Sequence, residues 1–252
     1  MIIGVVSGFA IIFLSIGTEN FGLFVNPGGA GIVLGGTISA LLASYPLKVT
    51  KQAPKQVVLA LKGVLPDPFA YIEKIVECAE VARKQGMLAL ESLADQQDDE
   101  FMRTGIFLLL DALDASKVRA IMESEMYYVD ERHSEGISFF RKGADYAPAF
   151  GLLGTIIGLI IMLGNLDLDA ADGAAALTAG MAIALITTFY GSIFANLVML
   201  PTAGRLQAIH EREMLCKSII VEGILSIQAG ENPKFVREKL TAFLPNRERQ
   251  PV

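Results

Sequence analysis

Four apolar runs constrain this chain more than any other feature. They cover residues 2–17, 28–46, 147–164 and 177–200, and none contains Asp, Glu, Lys or Arg. A helix needs about 20 apolar residues, within a range of roughly 17–25, to cross the hydrocarbon of a bilayer. The last three runs reach that length, and flanking residues can extend the first. The first run has no basic leader and a second follows it closely, so it reads as a retained span rather than a cleaved signal. Charged residues make up 19% of the 252, below the roughly 25% of soluble domains. Such a chain is a membrane protein with a sizeable aqueous part. Its net charge of −6 argues against nucleic acid as a partner.

The basic residues set the orientation. All 21 Lys and Arg lie either between Lys48 and Lys142 or between Arg205 and Arg249. The short connections 18–27 and 165–176 hold Glu19, Asp167, Asp169 and Asp172 but no Lys or Arg. The positive-inside rule then puts both long segments in the cytoplasm and both short ones outside. The expected division is a first pair of membrane helices over 1–46, a cytoplasmic helical loop domain over 47–143, a second pair over 144–202, and a cytoplasmic helical tail over 203–252. Both termini are expected in the cytoplasm.

The cytoplasmic segments read as helices. Phe69, Ile72, Ile75, Val76, Ala79 and Ala82 recur at helical spacing, and PDP at 66–68 is a helix-start signal. Gly86 breaks that helix and MLALESLA restarts one. Residues 100–112, 116–141 and 205–244 repeat the pattern, with 116–141 running into the third span and PNRERQPV as a frayed end. These loop helices are too few to suggest a large independent core, so they are expected to pack on each other and on neighbouring subunits. The fold class is all-α: four membrane helices, a helical cytoplasmic part and a homo-oligomeric ring. Cys78 and Cys216 have no metal-ligand spacing. His133 and His210 read as solvated helix-surface residues.

Small residues and hydroxyls give the spans their character. Gly4 and Gly8, then Gly31, Gly35 and Ser39, and GTIIG at 154–158 repeat every four residues. Ala184, Thr188, Gly191 and Ala195 line one face of the fourth span. Such faces let helix backbones approach closely, either within one subunit or against another subunit or a guest helix. Pro148 stands at the start of the third span, where its missing N–H does little harm, and Pro201 is expected to end or bend the fourth. Pro148, Gly151 and Thr155 fall on one helix face, and Thr187 and Thr188 sit in the fourth span. One threonine can hide in lipid by bonding its own backbone, whereas three in two otherwise apolar spans can line a polar path. Ion-coupled membrane proteins keep an ionisable group inside the membrane, and these spans have none. Either the chain moves no ion or another chain supplies the carboxylate.

Several ordered motifs resemble one family over nearly the full length. They are ARKQGMLALE in the loop, DERH at 130–133, APAFGLLGTIIGL in the third span, and AIALITTFYGSIFAN with the following Pro201. These stretches are similar to the MotA/PomA family, the larger subunit of the bacterial flagellar motor stator, within the MotA/TolQ/ExbB superfamily. The resemblance implies five copies in the inner (cytoplasmic) membrane around two copies of a single-span MotB/PomB-type partner. That partner supplies the membrane aspartate, and ion passage turns the ring so that the loops push on the rotor protein FliG. It implies that Pro148 and Pro201 shape the ion path, that Thr155, Thr187 and Thr188 line it as in sodium-driven relatives, and that Arg83 and Glu91, with Lys84 adjacent, face the rotor. By composition alone those three are ordinary surface charges. No cofactor is implied beyond the transported ion, Na+ or H+. A desolvated Na+ wants several oxygen ligands, so the hydroxyls favour sodium, although hydroxyl-lined walls also occur where protons pass.

Three other functions compete. Three-span ExbB/TolQ motors that energise outer-membrane processes share the physics, but the closely spaced first pair of spans favours the flagellar type. An intramembrane enzyme needs a nucleophile with a base, or metal ligands, at membrane depth. Ser39 and Ser192 have no His or Lys within the spans, so no enzyme is expected. A passive scaffold predicts no ion flux with the partner.

Overall fold

The computed structural model describes residues 1–164 and 173–245, the side chains of 173–176 excepted. Most of the acidic connection 165–176 and of the frayed end expected from the sequence lies outside them. All regular structure among the described residues is helical. In chain order the α-helices are α1 (Ile2–Ile16), α2 (Pro27–Ala30), α3 (Gly36–Ser44), α4 (Leu47–Lys62), α5 (Pro68–Gln85), α6 (Leu90–Ala94), α7 (Glu100–Leu110), α8 (Ala115–Gly164), α9 (Gly173–Ile193), α10 (Leu200–Gln228) and α11 (Pro233–Thr241). A π-turn at Gly31–Gly35 joins α2 to α3, and another at Phe194–Met199 joins α9 to α10. Among the described residues, three helices are long and apolar enough to cross a membrane: Phe21–Ser44, Ala115–Gly164 and Leu177–Gln228. The helix α1 has 15 residues, which at 1.5 Å per residue is about 22 Å.

The chain divides into two compact units. The first comprises Met1–Gly63 and Ser134–Gln207. Its apolar side chains face outward in large part. No residue of α1 is buried, and Ile3 is 86% exposed. Asn26 caps α2 by accepting from Gly29 N–H at 2.8 Å, and Pro27 occupies the first helical position, where its missing donor costs nothing. Asn26 N–H also donates to Tyr190 Oη at 2.9 Å, and Tyr190 O–H donates to the Phe24 carbonyl. These bonds fasten the turn ahead of α2 to α9. A buried cluster of Leu41, Phe139, Phe140, Ala144, Met199 and Leu206 holds α3, α8 and α10 together.

Three details of this unit differ from the sequence-based expectations. Pro148 lies in the interior of the continuous helix α8, not at a helix start. The helix continues because the proline withdraws only one donor, the one owed to the Ala144 carbonyl. Pro201 does not end its helix, which runs on to Gln228. The π-turn just before it carries Leu200 N–H five residues back to the Ala195 carbonyl. That wider register sits where the proline's absent donor would leave an α-ladder short. The helix α4 follows the second apolar run at once, with Pro54 inside it, and is not among the helices the sequence pattern singles out.

The second unit comprises Val64–His133 and Ala208–Val252. It has the core that the sequence reading withheld. Ile72, Ile75, Met102, Ile106, Met122 and Ile224 are all fully buried there, with α11 closing the cluster through Val236 and Leu240. The expectation failed because the tail helices α10 and α11 add Ile219, Ile220, Ile224, Val236 and Leu240 to the apolar faces that the loop helices supply. Three capping side chains start its helices: Asp67 accepts from Phe69 N–H, Asp99 from Met102 N–H and Asn232 from Lys234 N–H. Arg237 and Glu73 form a two-pronged ion pair between α11 and α5. His210 is buried rather than solvated. Its Nε2 lies 2.9 Å from Asp130 Oδ1, and its Nδ1 lies 3.3 Å from His133 Nδ1. Burial first, and then the neighbouring imidazole, lower the His133 pKa, against the raising effect of Glu213. Burial also raises both thiols, Cys78 to about 11 and Cys216 to about 12. Both therefore stay protonated and unreactive at neutral pH.

Candidate functional site

The crossing of α8 and α9 is built on missing side chains. A Cβ on Gly158 would lie 2.8 Å from both Ala184 N and the Gly180 carbonyl oxygen. One on Gly191 would lie 2.6 Å from the Ala147 carbonyl and 3.2 Å from Pro148 Cα. One on Gly151 would lie 3.0 Å from the Thr187 carbonyl. The neighbours are backbone atoms, which cannot swing aside. Glycine is required at each of these points because lipid supplies no hydrophobic drive and only close packing holds the helices. Gly180, which the sequence reading passed over, completes the set.

This close approach brings the three threonines together. Thr155 Oγ1 and Thr188 Oγ1 lie 2.6 Å apart. The hydroxyls of Thr155, Thr187 and Thr188 all reach the Ala184 carbonyl, at 2.9, 3.1 and 3.4 Å. A carbonyl oxygen has two lone pairs, so it cannot hold three hydroxyl protons at once. Thr155 has the Gly151 carbonyl as a second acceptor at 3.1 Å, and Thr187 has that of Ile183 at 3.0 Å. Those two protons therefore have a second acceptor, which leaves the Ala184 carbonyl for Thr188. The lone pairs of Thr155 and Thr188 can turn toward an incoming cation without leaving a donor unsatisfied.

The five ion-path residues do not share one environment. Thr188 is exposed and Thr155 half-buried, so their oxygens reach the open face. Thr187 is fully buried. Its methyl group would touch a Cβ on Gly29 at 3.1 Å, and its side chain also blocks Gly154. It wedges α2, α8 and α9 together. Pro148 is exposed two turns before Thr155 on the same helix. Pro201 is half-buried, thirteen residues past Thr188 and so about 20 Å along the helix. It is not gathered with the threonines. Ala184, whose carbonyl organises the hydroxyls, gave no chemical signal in the sequence; its place one turn before Thr188 is the only clue.

The second unit carries the three loop charges. Arg83 and Lys84 end α5, Gly86 turns the chain at φ +88°, and a 3-10 turn at Met87–Ala89 leads into α6, which carries Glu91. Leu90 and Ala94 are fully buried and anchor that turn. Arg83 and Glu91 are exposed, and among the described residues neither forms an ion pair within the chain. Lys84 pairs with Glu80 at 2.9 Å. That hydrogen bond first, and then the ammonium charge, lower the Glu80 pKa. Leu88, 79% exposed, stands between the charges.

The profile of the MotA/TolQ/ExbB proton channel family matches residues 93–218. The chemotaxis protein PomA of Vibrio alginolyticus is 38% identical over 244 residues, covering 96% of this chain and 94% of that protein. The chain belongs to the MotA/TolQ/ExbB proton channel family. Within it the likeness is to MotA and PomA, and it extends to solved structures. A structure of C. jejuni MotAB superposes with a TM-score of 0.89 at 26% identity, covering 97% of this chain and 95% of that one. The flagellar MotAB stator complex from Bacillus subtilis gives 0.86 at 29%, covering 98% and 95%. This is a family of channel subunits rather than of enzymes.

Proposed function

We propose that the protein is the larger subunit of a flagellar motor stator. Several copies, five on the family pattern, surround a single-span MotB/PomB-type partner in the inner membrane, and inward cation flow becomes torque on FliG. The observation that carries this reading is the hydroxyl cluster on the Ala184 carbonyl, set in membrane helices that hold no ionisable group of their own. The cluster offers oxygen ligands and no carboxylate, so it works only beside a chain that brings one. The solved relatives described as MotAB complexes support the partner.

The remaining assignments follow from this reading. The helix α1 is the first of four spans, extended by the residues after it, and its having no fully buried residue supports a lipid or subunit environment. The long basic segments and both termini are cytoplasmic. Thr155 and Thr188 line the ion path directly, with Thr187 wedging the helices behind them. Pro148 and Pro201 carry motion from that path along α8 and α10. Arg83, Lys84 and Glu91 dock on the rotor, and charge complementarity there sets register and on-rate more than affinity. The ion is sodium, because two open hydroxyls and a nearby carbonyl suit a partly desolvated Na+.

The test is genetic. Deleting the gene abolishes swimming while filaments still assemble. Normal swimming with lost outer-membrane uptake would assign the chain to the ExbB/TolQ side of the family instead. Cells relying on this stator stop in sodium-free medium; swimming that persists there and collapses with a protonophore would overturn the sodium assignment.

A further inference from the structure

The helix α4 has three distinct faces. Val49 and Ala60 are buried against the rest of the first unit. Gln56 fills the space above Gly136 on the same side, where a Cβ would collide with its amide. At 100° per residue, Leu47, Pro54, Val58 and Leu61 form a second face, apolar and exposed. Beside it, Lys48, Lys51, Lys55 and Lys62 fall on one stripe, also exposed. The helix contains no acidic residue. Among the described residues, none of these lysines forms an ion pair.

The surroundings fix what this surface meets. The helix α4 starts directly after Tyr45 and Pro46, at the end of an apolar helix long enough to cross a membrane. Tyr45 and Tyr146 both hydrogen-bond at that level, to Ser138 and Ser44 at 2.9 Å each. Tyrosines of this kind mark the water interface of a bilayer. At the far end of α4 the Gly63 carbonyl accepts from Arg205 Nη2 at 3.0 Å, so the helix is held at both ends. An apolar ridge with a flanking basic stripe is the pattern of a helix lying in the interface plane.

We propose that α4 lies in the cytoplasmic face of the bilayer and binds anionic phospholipid through Lys48, Lys51, Lys55 and Lys62. This rests on the reading of the preceding helix as a membrane span. The apolar ridge enters the acyl boundary and the lysines reach the phosphates, each lysine adding about a fivefold preference for anionic lipid. The pinned ends make the surface preformed, so little ordering cost opposes the contact.

The chain contains no tryptophan, which makes the test clean. Val58→Trp is introduced into the full chain, reconstituted with its single-span partner in vesicles. Quenching by brominated phosphatidylglycerol is compared with quenching by brominated phosphatidylcholine, after subtraction of the same complex without the new tryptophan. Stronger quenching by the anionic lipid is expected. Replacing all four lysines by glutamine should cut that preference more than tenfold, and replacing them by arginine should keep it. Equal quenching by both lipids overturns the headgroup recognition. Quenching by neither, while Leu153→Trp on the third apolar helix is quenched normally, means that protein covers this face and overturns the lipid contact. If Leu153→Trp is not quenched either, the membrane reading itself has failed.

Discussion

The two units use the same kind of helix and place their apolar residues in opposite ways. In the second, isoleucines and methionines converge on a closed core while charges face out. In the first, large apolar side chains stand exposed along α1, α8 and α9, and outside one buried cluster around Leu41, Phe139 and Met199 the helix crossing of α8 and α9 is packed with glycine, alanine and threonine. Water drives the first arrangement, because burial removes apolar surface from it. In lipid that drive is absent, and backbone proximity with interhelical hydrogen bonds replaces it. The contrast teaches that small residues in the first unit do what large ones do in the second. Within the first unit the glycines divide again. Gly151, Gly154, Gly158, Gly180 and Gly191 at the α8–α9 crossing are used up inside the chain, whereas Gly4, Gly31 and Gly35 have nothing within 4 Å. Their open faces are the surfaces available to other copies or to the partner helix.

The comparison is broken most easily by shrinking the closed core. Ile224→Ala should cost about 2–5 kcal/mol, read as a lowered unfolding midpoint of the cytoplasmic part. Ile160→Ala, at an exposed position of α8, should change stability by less than about 0.5 kcal/mol. Equal losses would mean that the two units are held by the same force.

Glycines give the next largest effect. Gly191→Val meets backbone that cannot yield and should cost about 1–3 kcal/mol, seen as loss of monodisperse complex in detergent. Gly31→Val meets open space and should leave the subunit's fold intact. If Gly31→Val changes only the assembly, measured by molar mass on size exclusion, then the open face is an interface.

A smaller effect separates the units by pH. The Lys239 ammonium hydrogen-bonds Glu222 at 2.7 Å and is the main reason its pKa lies below the usual range, with Arg119 adding to this and desolvation opposing. A carboxylate with a lowered folded pKa stabilises above its unfolded value, and the gain is lost as pH falls through the folded one. Glu222→Gln should therefore flatten the acid limb of the second unit's unfolding curve below about pH 4.5. An unchanged limb would remove this pair from the account.

The smallest effect on stability belongs to Arg83. It is exposed and, among the described residues, forms no ion pair, so Arg83→Ala should shift stability by less than about 0.5 kcal/mol. Swimming speed should fall nonetheless, and the deficit relative to the unsubstituted chain should shrink at raised salt, because such contacts are screened over about 8 Å at physiological ionic strength. A variant that swims normally at every salt concentration would take Arg83 out of the docking surface.

The sequence disclosed much of this architecture, and its silences have physical causes. The apolar runs and the Gly86 break are local signals, and each appears where the pattern put it. The hydroxyls were visible as Thr155, Thr187 and Thr188, but their meeting at the Ala184 carbonyl depends on how closely α8 and α9 approach. Pro148 and Pro201 misled because a proline in isolation reads as punctuation, while a long packed helix absorbs it through a π-turn or one idle carbonyl. The helix α4 carries a signal that was there to be read, since lysines at 48, 51, 55 and 62 keep helical spacing around Pro54. His133 and His210 are 77 residues apart, and nothing local announces that α8 and α10 bring them into contact.

The central claim is that this chain forms the walls of an ion path and borrows the charge within it. Cation flux into sealed vesicles tests it most directly, comparing the chain alone, the chain with its single-span partner, and the same pair carrying Thr155→Val and Thr188→Val. The account predicts flux only from the pair, and a fall of at least tenfold when both hydroxyls are removed, equivalent to about 1.4 kcal/mol. Equal flux from the chain alone would contradict it.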